Sequence, residues 1–174
     1  MVKAKRQKEQ PKADKAMYGV VGRFAAYFGV FVLAILLGFA SGKLQMLLVG
    51  TAAVSAKIAA WIGIAATTSG THILLPSRTL SVDLPCTALF IVALFSALVL
   101  SYPVSWQQRL LGLAVGIPII LATNIVRIVA DAEVSESIPS AFTFFHDYLF
   151  QMGMVLVTVA IWAAWLTRAQ RHAR

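Results

Sequence analysis

Residues 84–108 read LPCTALFIVALFSALVLSYPVSWQQ. This run carries no charge and is rich in Leu, Val and Phe. It exceeds the roughly 20 apolar residues that take a helix across a bilayer. It also holds Cys86, the only cysteine in the sequence, so an intramolecular disulfide is excluded. Three further runs qualify as spans: Phe24–Gly42, Leu110–Val126 between Arg109 and Arg127, and Tyr148–Thr167. The last carries Trp162 and Trp165 where interfacial aromatics sit. Composition agrees: 59% of the 174 residues are hydrophobic and 13% are charged, against about a quarter charged in a soluble domain. A soluble globule, a disordered chain and a disulfide scaffold are thereby excluded. The predicted class is an all-α integral membrane protein, a four-span helical bundle.

The net charge of +8 orients this bundle. Lys3, Lys5, Arg6, Lys8, Lys12, Lys15 and Arg23 precede the first run, and Arg168, Arg171 and Arg174 follow the last. Basic flanks beside spans mark cytoplasmic ends. No groove-reading or base-stacking motif accompanies the charge, so a nucleic-acid partner is not expected. Residues 1–16 read as a disordered basic cytoplasmic tail that touches anionic lipid. Residues 17–174 read as a single transmembrane domain. The first run is long and lacks a clear small-residue cleavage site, so it reads as an uncleaved span rather than a signal peptide.

Residues 44–68 are long enough for a fifth span but contain Lys57 and are diluted by Ala, Ser and Thr. Ala52, Ala56, Ala59, Ala60 and Gly63 form a small-residue stripe suited to close packing. Five spans would put the Arg-rich C-terminus outside. Four keep both termini in the cytoplasm and put Asp83, Asp131, Glu133, Glu136 and Asp147 outside. The charges therefore favour an extra interfacial or re-entrant helix at 44–68. Gly70, Pro76 and Pro85 punctuate the stretch that follows, and 71–75 and 79–82 are extended in character. A short outer-face loop or hairpin is expected there.

Under this topology Cys86, Arg127 and His146 reach one membrane depth on the outer face. Asp83 suits an N-cap and Pro85 a first turn, which places Cys86 where a helix dipole favours a thiolate; a lone cysteine in an apolar helix is otherwise an inert small hydrophobe. Arg127 reads either as a snorkelling anchor or as a group for an oxyanion or a substrate carboxylate. Asn124 precedes it by about one turn, and Asp131 stands four residues on as a salt-bridge partner. His146 reads as an interface residue or as the proton shuttle of a Cys–His pair. Asp147 is adjacent to it, and helix neighbours do not face each other, so Asp147 is not assigned as an orienting group. His72 and His172 lie elsewhere. No cofactor is implied, and the single cysteine and scattered histidines lack metal-ligand spacing.

The segments Pro85-Cys86-Thr87-Ala88, Asn124-Ile125-Val126-Arg127-Ile128 and Phe145-His146-Asp147 resemble the three motifs of the exosortase/archaeosortase family, over roughly residues 80–165. The chain is similar in size to compact exosortases of the exosortase H kind. The resemblance implies a membrane cysteine transpeptidase or protease with Cys86 as nucleophile, His146 as general acid/base and Arg127 as the cation that orients substrate or transition state. It implies exported protein substrates with a C-terminal sorting tag of the PEP-CTERM type: a short motif, a transmembrane helix and a basic end. It implies a multi-pass protein of the inner (cytoplasmic) membrane with its active site outside. The family often has Ser-Gly after the cysteine, where this chain has Thr87-Ala88. The alternative reading is non-enzymatic: a membrane assembly or scaffold subunit for envelope polysaccharide or protein export, with the small-residue stripe as its partner face.

Overall fold

The computed structural model describes residues 2–171, with side chains from residue 17 onward. The side chains of the tail over 1–16, and residues His172 and Arg174, lie outside that description. The order is α1 (Val2–Ala40), α2 (Gln45–Trp61), β1 (Thr67–Ser69), β2 (His72–Leu74), β3 (Thr79–Ser81), a 3-10 turn (Leu84–Thr87), α3 (Leu89–Ser101) and α4 (Trp106–Ser137). A 3-10 turn (Pro139–Ala141), α5 (Phe142–Phe144), a π-helical turn (Phe145–Leu149) and α6 (Phe150–Arg171) complete the chain.

Three helical stretches are long and apolar enough to cross a membrane: Met17–Ala40, Trp106–Ser137 and Pro139–Arg171. The run over 84–108 is not one helix. Pro103 forces the preceding Tyr102 into an extended conformation (φ −77°, ψ 139°) and ends α3. The 13 residues of α3 rise only about 20 Å, short of the roughly 30 Å hydrocarbon core. Conversely, α4 does not stop at Arg127. It continues ten residues further, through Asp131 to Ser137, for a length of about 48 Å.

Two apolar clusters divide the molecule. The first joins α3, α4 and α6 through Ala88, Phe95, Val99, Ile120 and Met154. Gly116 of α4 lies against the Phe95 ring and Gly112 against the Trp165 indole, so closely that a Cβ at either position would collide. Trp165 thus faces inward and donates its indole N–H to the Gln108 carbonyl at 2.9 Å. At this end Arg23 Nε also donates to Ser101 O at 3.2 Å, and Arg109 Nη2 to Tyr102 O at 3.0 Å.

The second cluster caps the opposite end. Ala52, Ala56 and Ala59 of α2 pack with Ile73, Val82, Ile128, Val129 and Ala132. The small-residue stripe is therefore consumed within the chain, whereas Ala60 is exposed. The expected hairpin is a three-stranded antiparallel sheet in the order β1-β2-β3, with Ile73 opposite Leu80 and His72 opposite Ser81. Replacing Gly116 by valine should cost about 1–3 kcal/mol through overpacking on Phe95. Gly153→Ala, beside open space, should cost none. Thermal unfolding of the two variants in detergent checks this.

Candidate active site

Cys86 lies in the 3-10 turn between the sheet and α3. Asp83 precedes the turn in an extended conformation, and its carbonyl accepts the Cys86 N–H at 2.9 Å. Its carboxylate receives the Ser81 hydroxyl at 3.1 Å and caps nothing. α3 begins at Leu89, so Cys86 precedes that helix rather than occupying its first turn, and a helix dipole is not what acts on the sulfur.

The break between turn and helix is Ala88, at φ 58° and ψ 10°, the only non-glycine residue with positive φ among the described residues. A left-handed conformation costs an L-residue roughly 1–2 kcal/mol. Thr87 braces the turn by donating its hydroxyl to Leu84 O at 2.7 Å. Asn124 braces it from α4: its Nδ2 donates to the Cys86 carbonyl at 2.7 Å, from a side chain only 2% exposed. The αL residue turns the chain into α3, and the two hydrogen bonds hold the cysteine in place.

On the same face of α4, one and two turns beyond Asn124, stand Arg127 and Asp131. Both are buried, at 8% and 4% exposure. Arg127 is inside a helix and inside the protein, so it is neither a snorkelling anchor nor a helix-end cation. Its Nε lies 3.8 Å from Asp131 Oδ2. The same carboxylate oxygen lies 3.1 Å from His146 Nδ1, close enough to pair though not aligned as a hydrogen bond. Asp131 is therefore the group that joins Arg127 to His146. Asp147 is exposed.

His146 is positioned by the π-helical turn at Phe145–Leu149. Such turns insert an extra residue and re-aim side chains, frequently at functional sites. Phe142 stacks on the imidazole, with ring centroids 5.2 Å apart, and Arg78 lies 4.6 Å above the Phe142 ring.

Cys86, Asp131 and His146 line one cavity of about 210 Å³, together with Phe142, Ile128 and the residues Thr79 to Val82. Arg127 is not on its wall and reaches it only through Asp131. Of the residues read from sequence, the structure thus brings Cys86 and His146 to a shared space. It places Asn124 behind the first and Arg127 behind the second. Sequence reasoning missed Asp131 as a member of the site, although its spacing of four from Arg127 marked it as a partner. Among the described residues no three His, Cys, Asp or Glu side chains group as metal ligands would.

Chemically, a thiol and an imidazole share a cavity, and a carboxylate holds one nitrogen of that ring. This is the equipment of covalent acyl transfer. Ala88→Gly should be accepted, because glycine adopts the left-handed conformation freely. Ala88→Val should lose about 2 kcal/mol or more, since a β-branched residue is an outlier at positive φ. Unfolding midpoints and the rate of Cys86 alkylation in the two variants check this.

A family model described as transmembrane exosortase (Exosortase_EpsH) matches residues 16–166. No curated protein and no solved structure matches the chain.

Proposed function

The chain belongs to the transmembrane exosortase family, and from that premise we propose that it is a membrane cysteine transpeptidase or protease acting on exported proteins with a C-terminal sorting tag. The single observation that carries the reading is the cavity shared by Cys86, His146 and Asp131. The Cys86 thiol attacks the scissile carbonyl through sulfur as His146 takes its proton. The C–N bond then breaks, the proton passes to the leaving amine and a thioester remains. An acceptor amine or water attacks the thioester, gives its proton to His146 and releases the acyl group. Cys86 recovers that proton from His146. Asp131 holds Nδ1 and leaves Nε2 for this traffic, as the third member of a triad does. Arg127 balances the buried carboxylate and fixes its direction, a positioning role that the geometry favours over contact with an oxyanion. Asn124 positions the nucleophile's turn.

The distribution of charge supports an outer-face site in the cytoplasmic membrane. Arg23, Arg109 and the Arg168–Arg171 pair gather at the end of the bundle opposite the cavity, tied by Arg23 to Ser101 and by Gln108 to Ala169. A bilayer core of about 20 helical residues counted from Arg109 ends near Val129, beside Arg127 and Asp131. A tag helix lying in the bilayer beside the enzyme would present its scissile bond at this depth.

The test is co-expression of the full chain with an exported protein from the same cell that ends in a short motif, an apolar helix and a basic cluster. Cys86→Ala should leave the protein folded and the substrate unprocessed, and normal processing in that variant would sink the proposal. Asp131→Asn should lower kcat roughly 100-fold or more with KM little changed. A loss confined to protein abundance would instead mark Asp131 as structural. Arg127→Ala strands a buried carboxylate and should cost about 3–5 kcal/mol, read as a lowered unfolding midpoint.

A further inference from the structure

We infer that the free edge of β3 is the docking strand for the substrate's main chain, pairing with an extended segment beside the scissile bond. The inference rests on the proposed function and adds how substrate is held.

The sheet has the order β1-β2-β3, so β3 has a partner on one side only. The pairing register shows which of its backbone groups are spent. Val82 N–H donates to Thr71 O and Leu75 N–H to Arg78 O, each at 2.9 Å. Residues 78, 80 and 82 therefore turn their backbone groups toward β2, because an antiparallel ladder alternates bonded and non-bonded pairs. Thr79 and Ser81, opposite Leu74 and His72, turn theirs away. Two N–H donors and two C=O acceptors thus point off the sheet edge.

What lies along that edge is the cavity. Thr79, Leu80, Ser81 and Val82 form one of its walls, with Phe142 and His146 among the facing residues and Cys86 lining the same space. Leu80 and Val82 pack inward on the apolar cap, whereas Thr79 and Ser81 are exposed. An unpaired strand edge beside a candidate nucleophile complements one chemistry above others, the alternating donors and acceptors of an extended peptide. A lipid acyl chain would gain nothing from those four polar groups. The edge is about 10 Å long, enough for about three residues. A segment paired there passes the Cys86 turn, because β3 runs directly into it.

The occupant is the polar, extended stretch of the exported protein at the tag motif. Main-chain pairing holds it, and its affinity depends on every second residue keeping its N–H.

The test uses the full chain in the co-expression assay with the same tagged protein. Ser81→Pro removes an outward N–H, at an edge position where proline is tolerated, together with the hydroxyl that donates to Asp83. Ser81→Ala removes the hydroxyl and keeps the N–H. Processing should fall about tenfold in Ser81→Pro, the size of one or two lost hydrogen bonds. Ser81→Ala measures the share due to the hydroxyl, and processing in Ser81→Pro should fall well below it. The Cys86 alkylation rate and the unfolding midpoint report that the site is intact. If Ser81→Pro does not fold, a proline scan of the tag motif decides: sensitivity at alternate positions supports strand pairing, and uniform sensitivity or none overturns it. Equal processing by folded Ser81→Pro and Ser81→Ala also overturns it, while the proposed activity stands. Processing by Cys86→Ala is the separate result that removes the activity itself.

Discussion

A carboxylate buried at the boundary of a membrane protein is stable only if something answers its charge. Asp131 is answered twice, by Arg127 one turn earlier on its own helix and by His146 from the π-helical turn before α6. The second contact fixes how the turn before α6 meets the C-terminal half of α4, and with it the direction of the imidazole. Because Asp131 and Asn124 share one face of one helix, the same rigid rod that aims the histidine also grips the carbonyl of Cys86. The relative position of Cys86 and His146 is thus set in part by α4, which holds the turn that carries each.

Much of the remaining core packs against α4. Two glycines let Phe95 and Trp165 lie against its N-terminal half, and the alanines of α2 let a second helix approach its C-terminal half. The cap formed with α2 has a further effect, since it brings a three-stranded sheet to a place where a bundle alone would offer only helix ends. An extended peptide carries alternating donors and acceptors along its backbone. A strand supplies the partner for such a backbone, and a helix surface does not.

Much of this was legible in the chain itself. The uncharged runs announce a membrane protein, the basic flanks separate two ends, and Cys86, Asn124, Arg127 and His146 stand out by type and position. The family match over residues 16–166 agrees with the motif resemblance. The misreadings have physical causes. Hydropathy falls at Arg127, so the apolar run appears to end there, but a helix can carry buried charges onward when they pair with each other. Asp131 reads as half of an ordinary surface salt bridge, because nothing in one helix reveals that a histidine from another will meet it. The apolar run over 84–108 hides the effects of Ala88 and Pro103, which divide it by backbone conformation while leaving its hydropathy unchanged. β1 lies at the end of a helical-looking stretch and forms only because β2 offers it a ladder.

The π-helical turn before α6 has a consequence for how such a protein can change. One extra residue over 145–149 rotates His146 against the rest of the helix. The ring's aim and the lipid-facing surface of α6 are therefore adjusted by separate parts of the sequence. Deleting a single residue there would straighten the turn and force a choice, since either the imidazole or the whole membrane face must rotate by about 100°. A substitution on the far side of α6 leaves the ring's aim alone, whereas a change of chain length over 145–149 does not. In this segment the number of residues constrains the site more tightly than their identity.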